Sequence, residues 1–347
     1  MASNKALVVV TGGSGFIASW CIIELVKKGY HVRTTVRSLS KADHVRQMLV
    51  SGGLTSEQAS SVELSPVDLM KDDGWTDACR GAKFMLHVAS PFPPSAPKDE
   101  DEVVKPAKEG TLRALRAAKA AGIQRVVITS SMAATTYGHK ETKHFTEKDW
   151  SVIAAKDNDP YQKSKTVAEQ AAWEWSKENP EVEVASVNPA LVLGPILGKD
   201  DSTSQQLVLR LMNGQVPGLP QLQLGVVDVR DVADLHIRAM EDPKAKGERF
   251  VCASDEGYVS MKQMSLALKE RLGDKARRCP TFEVPNFLLS IVGLWDPQIA
   301  LIKGALGKKD TMSNAKAKET LGWNPRSFKD ALVASAEALE KQGMIKA

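Results

Sequence analysis

The stretch Val8-Val9-Val10-Thr11-Gly12-Gly13-Ser14-Gly15-Phe16-Ile17-Ala18 decides how this chain begins to fold. A β-branched apolar run leads into Gly12 and Gly15, then the small Ala18, and Ile22, Ile23 and Val26 follow at helical spacing. That order reads as a strand, a tight glycine turn and the start of a helix. In such a unit Gly12 lets the chain turn, Gly15 lets the backbone approach a pyrophosphate, and Ala18 lets helix and strand pack closely. Amides at the helix start then face the phosphate anion. Thr11, Gly12, Gly13, Ser14, Gly15, Phe16 and Ile17 are therefore candidate cofactor contacts. The bland alternative is a glycine turn in an ordinary α/β unit. A nucleotide-triphosphatase loop is disfavoured, because no Gly-Lys-Ser/Thr follows.

Outward from this unit, strand-like runs alternate with helical ones. Strands read at Ala6–Val10, His31–Val36, Val62–Val67, Lys83–Val88, Arg125–Thr129 and Val182–Val187. A helical pattern such as Glu102–Ala121 lies between. This alternation predicts an α/β protein with a doubly wound parallel sheet of Rossmann type, whose ligands gather at the carboxyl ends of the strands. After Pro189 the pattern changes to Gly- and Pro-rich segments. Gly225–Val227 reads as a strand, Val229–Met240 as a helix and Arg249–Cys252 as a strand. We expect a dinucleotide-binding domain over 1–190 with contributions from about 221–252. A smaller interleaved substrate lobe is expected from 191–220 and 253–347.

Composition narrows the function classes. The 347 residues carry a net charge of only +4 with interspersed signs, which suggests no nucleic-acid surface. No run reaches the about 18 apolar residues that would span a bilayer, and no secretory leader is read. Four scattered cysteines form no CxxC pair, so neither zinc nor a disulfide framework is indicated. Six histidines show no ligand spacing with acids, and no metal is expected. A reduced, cytoplasmic setting is the expectation, for a monomer or homodimer.

The second strand identifies the dinucleotide. NAD sites place an acid at its end to hold the adenosine ribose. Here the strand ends in Arg37, with Lys41 four residues on and no acid between His31 and Ala42. A guanidinium forks onto a phosphate and a lysine adds charge, which fits the 2′-phosphate of NADPH. Arg33 shares the strand face but sits farther from the carboxyl end.

The reacting centre is read from two segments. The strand Arg125–Thr129 delivers Ser130 and Ser131 to its carboxyl end. Farther on comes Asp159-Pro160-Tyr161-Gln162-Lys163-Ser164-Lys165, where Asp159 suits an N-cap and Pro160 a first helical position. Tyr161 and Lys165 then stand one turn apart on one face. A free phenol titrates near pH 10, and the Lys165 ammonium, with the positive charge of the oxidised nicotinamide, is expected to lower it. Tyr161 would give a proton to a carbonyl oxygen as hydride arrives, with Ser131 bonding that oxygen and Lys165 the ribose hydroxyls. Tyr258 and Lys262 share the spacing but follow no serine-bearing strand end. With Ser260 and Gln263 as a capping box, they read as structural.

These motifs together resemble the extended short-chain dehydrogenase/reductase family, within it the dihydroflavonol 4-reductase group and fungal NADPH-dependent methylglyoxal/carbonyl reductases. The resemblance spans Thr11–Ala18, Arg37 with Lys41, Asp68-Leu69, His87 to Phe92, Thr129 to Ser131, Tyr161 to Trp173, Asn188 to Pro195 and Val227 to Ala233. It implies Asp68 and Leu69 near the adenine, and His87, Ala89, Ser90 and Thr129 along the cofactor. Pro189, Val192 and Ser204 would lie near the nicotinamide half. Pro160-Tyr161-Gln162-Lys163 lacks the Asn-Trp-Tyr-Cys motif of cinnamoyl-CoA reductases, which argues against CoA thioesters.

Phe92, Met132, Ala133 and Leu193 are expected to line a mostly apolar pocket, for a small carbonyl substrate with an apolar or aromatic arm. The leading expectation is NADPH-dependent carbonyl reduction. Two rivals stand beside it: a sugar-nucleotide epimerase or dehydratase holding NAD, and a non-catalytic NADP sensor.

Overall fold

A computed structural model describes residues 5–90, 99–155, 159–198, 203–292, 295 and 302–346. Its strands, in chain order, are β1 (Leu7–Val10), β2 (His31–Val36), β3 (Glu63–Pro66), β4 (Phe84–His87), β5 (Arg125–Thr129), β6 (His144–Phe145), β7 (Glu183–Pro189), β8 (Leu191–Leu193), β9 (Gln223–Asp228), β10 (Arg249–Cys252), β11 (Tyr258–Ser260) and β12 (Thr311–Met312). Seven of them form one parallel sheet in the order β3-β2-β1-β4-β5-β7-β10.

The valines of β1 show why both faces of this sheet are covered. Val8, Val9 and Val10 are fully buried. Successive strand residues point to opposite faces. Val8 and Val10 accordingly join Ile22, Leu25, Val232 and Phe250 in one core, while Val9 joins Met85, Leu115 and Val126 in another. The helices Phe16–Lys27 and Val229–Glu241 supply the first layer. Asp101–Ala120 and Pro160–Glu178 supply the second. An unbroken apolar strand is what a parallel sheet sandwiched between helices requires.

From β1 the chain winds outward through β2 and β3, then crosses back to β4 on the other side. The loops after β1 and β4 therefore diverge and leave a crevice at the carboxyl ends of the strands, where ligands of such sheets bind.

A second core lies beyond Leu193. The small sheet β11-β9-β8 packs with the helices Thr203–Met212, Met261–Leu272 and Phe328–Lys341 around Leu211, Val226, Met264 and Leu332. The strand read at Gly225–Val227 thus belongs to this small sheet, whereas the helix after it packs back on the main one. Among the described residues no helix is long and apolar enough to cross a membrane.

Candidate active site

The glycine loop is shaped by two different constraints. Gly12 takes φ +78°, a left-handed conformation that side chains disfavour. Gly13 is required by space: a Cβ there would lie 2.2 Å from Thr34 Oγ1. The loop is strapped to β2, since Gly12 N donates to Thr35 Oγ1 at 3.0 Å and Gly13 N to the Thr35 carbonyl at 2.9 Å. Gly15 is the N-cap of Phe16–Lys27 and brings no side-chain cap, so the first-turn amides keep no side-chain partner. Such an end is suited to an anion.

At the end of β2, Arg37 and Lys41 are exposed and held by no ion pair among the described residues. Arg33 has other work. It pairs with Glu63 at 2.7 Å and donates to the carbonyls of Asp77, Ala78 and Arg80. Asp68 closes a turn by accepting from Met70 N, and the Leu69 carbonyl is held by Arg113. Across the crevice, Thr11 Oγ1 accepts from Ala89 N at 2.9 Å and lies 3.0 Å from His87 Nδ1. Burial holds the His87 ring at about 4, with the Lys165 ammonium acting in the same direction.

Three side chains meet where β5 ends. Ser131 leaves the strand in extended conformation, its hydroxyl accepting from Ala133 N at 3.1 Å and sharing a hydrogen bond with the phenol of Tyr161. Tyr161 sits in the first turn of Pro160–Glu178, a helix opened by Asp159 and Gln162 as a reciprocal capping box with Pro160 at its first position. One turn on, the Lys165 ammonium lies 5.8 Å from the centre of the Tyr161 ring, and burial lowers it to about 8.

Residues 8–253 match the model of the NAD dependent epimerase/dehydratase family. The chain belongs to this family. It is a nicotinamide-dependent oxidoreductase of the extended short-chain dehydrogenase/reductase type. It is 33% identical to cinnamoyl-CoA reductase CAD2 of Medicago truncatula, over 84% of this chain and 92% of that protein. It is 31% identical to dihydroflavonol 4-reductase of Zea mays, over 82% and 78%. The crystal structure of yeast methylglyoxal/isovaleraldehyde reductase Gre2 complexed with NADPH superposes with a TM-score of 0.77 at 28% identity, covering 98% of this chain and all (100%) of that one.

Within this extended short-chain dehydrogenase/reductase, two expectations need correction. The phenol of Tyr161 is raised, not lowered. Burial dominates, the Ser131 hydrogen bond opposes it, and Asp159 adds to the rise. This holds although the residue as a whole is 38% exposed. Three residues expected at the pocket wall also lie inside the core. Leu193 is fully buried among Val208, Leu211 and Val226, and Met132 packs on Phe145, Val251 and Met312. Ala133 is 5% exposed and offers its carbonyl to Ser151. The short helical turn after Ser131 takes Met132 and Ala133 inward, and β8 carries Leu193 into the second core. Phe92 lies outside the described residues.

Pro189 is buried where β7 ends beside Cys252, Val192 packs on the main core, and Ser204 is half-buried at the start of Thr203–Met212. The structure adds Tyr137, which the sequence alone does not single out, and places Tyr258 beside it. Tyr137, 39% exposed, neighbours Asp159 and Tyr161, and Tyr258 reaches back to hydrogen-bond Thr136. Lys262 turns away to Glu283 at 3.6 Å, so the second tyrosine–lysine pair does not act as a unit. Beneath the site lie Glu169, Asn188, His236 and Arg249, all buried. Only Glu169 carried a sequence signal: it continues the four-residue step of Tyr161 and Lys165.

Proposed function

We propose that this protein reduces aldehydes and ketones to alcohols with NADPH, using Ser131, Tyr161 and Lys165 as its catalytic set. The observation that carries the reading is the hydrogen bond between Ser131 and Tyr161 at the mouth of the crevice, with Lys165 one turn behind. The family's nicotinamide chemistry and the NADPH held by the similar yeast reductase support it.

The residues fit that cofactor. Gly12 to Ile17 would border the pyrophosphate, with the amides of Ser14, Phe16 and Ile17 to hold it, since those of Gly12, Gly13 and Gly15 are bonded within the protein, and Arg37 with Lys41 would hold the 2′-phosphate. Asp68 and Leu69 would border the adenine, His87, Ala89, Ser90 and Thr129 the middle, and Pro189, Val192 and Ser204 the nicotinamide half. When bound, NADPH supplies hydride to the carbonyl carbon. Tyr161, raised by burial, stays protonated at neutral pH and donates its proton to the carbonyl oxygen. Ser131 donates a hydrogen bond to that same oxygen. Lys165 holds the ribose hydroxyls and keeps a positive charge beside the phenol as it loses its proton.

The test is NADPH oxidation followed by absorbance against a panel of aldehydes and ketones, wild type beside Tyr161→Phe. Loss of turnover in the variant supports the reading. Equal rates remove the proposed acid.

A further inference from the structure

Tyr161, Lys165 and Glu169 recur at four-residue steps along Pro160–Glu178, so one helix face carries all three. The side chain of Glu169 has no exposed surface. Its Oε1 accepts from Arg249 Nε at 2.7 Å, Ser186 Oγ at 2.9 Å and Trp173 Nε1 at 3.2 Å. Its Oε2 accepts from Ser130 Oγ at 2.5 Å, Asn188 Nδ2 at 2.7 Å and Arg249 Nη2 at 3.2 Å. All six contacts come from donors, the set a carboxylate takes.

Most of these donors stand on other elements. Ser130 follows β5, Ser186 and Asn188 belong to β7, and Arg249 to β10. Asn188 Nδ2 also lies 3.3 Å from the Ser131 carbonyl, to which it donates. One carboxylate on the tyrosine helix thus grips the strand end that carries Ser131. Arg249 is itself fixed, its guanidinium 3.7 Å from the Trp150 ring centre and donating to the carbonyls of Glu147 and Asp149.

Glu169 also lines a cavity of about 20 Å³ that it shares with Lys165, His87, Thr129 and Ser130. The groups that face Lys165 can be named element by element. Its own helix offers Tyr161 and Glu169. β4 offers the neutral His87, and the helix Asp101–Ala120 offers Thr111. The end of β5 offers Thr129 and Ser130, with His236 behind Thr129. Asp159 acts on Tyr161, and Arg249 stands behind Glu169, outside the cavity wall. Glu169 is thus the carboxylate in the wall beside the buried ammonium.

We propose that Glu169 is a positioning residue for the reduction: it locks the tyrosine helix to the Ser131 strand end and supplies the buried counter-charge of Lys165. The inference rests on the reading of Ser131, Tyr161 and Lys165 as the catalytic set. Burial already brings Lys165 down to about 8, and the Glu169 charge opposes that fall. Without the carboxylate, Lys165 loses its proton at lower pH, and the alkaline limb of activity follows it down.

The experiment measures kcat against pH for wild type, Glu169→Gln and Glu169→Asp. The ε-carbon NMR signal of Lys165, assigned with Lys165→Met, is titrated in parallel. For Glu169→Gln we expect the alkaline limb and the lysine signal to move down by about one pH unit. We expect kcat to fall about 10²-fold through misplacement of the tyrosine helix. Glu169→Asp should restore the limb, because the charge returns, while kcat stays reduced. Should Glu169→Gln fail to fold with Arg249 unpaired, Glu169→Gln/Arg249→Met is compared with Arg249→Met alone, and the lysine signal should again move down in the variant that lacks the carboxylate. An unmoved limb and an unmoved lysine signal in a folded variant overturn the proposal. Full activity in Tyr161→Phe overturns instead the catalytic reading beneath it, and the lysine signal still reports whether Glu169 is the counter-charge.

Discussion

Thr129 Oγ1 lies 2.7 Å from Nε2 of His236, whose Nδ1 lies 2.7 Å from the Val232 carbonyl. A carbonyl only accepts, so Nδ1 carries the proton. Burial holds this ring at about 4, so it is neutral at pH 7, and Nε2 accepts from the Thr129 hydroxyl. Thr129 therefore turns its lone pairs, not its hydrogen, toward the cavity beside Lys165.

Acid should destabilise the fold through two such rings. His87 and His236 are lowered from 6.5 to about 4, both by burial. Unfolded chains take up these protons below about pH 6.5 while the fold refuses them until about 4. Stability is thus present above 6.5 and is lost as pH falls through that window. The loss is of order 3 kcal/mol per ring. Urea midpoints measured above and below the window check it, and His236→Gln should show about half the dependence. An identical pH dependence in wild type and His236→Gln would mean that this ring ionises freely in the fold.

Tyr161→Phe should lower kcat by about 10² to 10⁴-fold, the range for removal of a general acid. NADPH affinity, read by fluorescence titration, should stay within about threefold, because the phenol acts on the substrate oxygen. Ser131→Ala should be slower by about 10²-fold. It should also lose about 1 kcal/mol of stability, since the hydroxyl accepts from Ala133 N.

Arg37→Asp should weaken NADPH by roughly 10- to 100-fold, the equivalent of a lost charged hydrogen bond, and leave NADH within about threefold. Equilibrium titration with both dinucleotides decides this. An unchanged preference would mean the exposed pair Arg37 and Lys41 is only a solvated basic face.

Gly13→Ala should cost about 1 to 3 kcal/mol, because the new methyl would collide with Thr34 Oγ1. That hydroxyl cannot swing away freely, as it donates to the Val10 carbonyl at 2.7 Å. Repeating the substitution in a Thr34→Ala background should shrink the penalty. Equal penalties in thermal melts of both backgrounds would refute the clash.

Features set by near neighbours were readable from the chain alone. Val8 to Val10 predict a strand buried on both faces because side chains alternate across a sheet. Gly12 predicts a tight turn, and Asp159 with Pro160 predicts a helix start, because those preferences come from sterics and local hydrogen bonds. The one-turn spacing of Tyr161 and Lys165 follows from helix pitch. The charge swap at Arg37 was equally plain, since strand end and residue type suffice to place it.

Pairings across long stretches of chain were decided only by the folded arrangement. Glu169 meets Arg249 through the adjacency of β7 and β10, and Thr129 meets His236 because Val229–Glu241 returns to the main sheet. Met132 and Leu193 look like pocket residues by position, but the turn after β5 and the second core draw them inward. The Tyr161 phenol is raised because burial outweighs its neighbours, a balance set by everything packed around it rather than by the lysine four residues on. Periodicity and spacing carry short-range geometry. Depth and long-range partnership depend on strand order and on which faces the crossing helices cover, and no run of residue types encodes those locally.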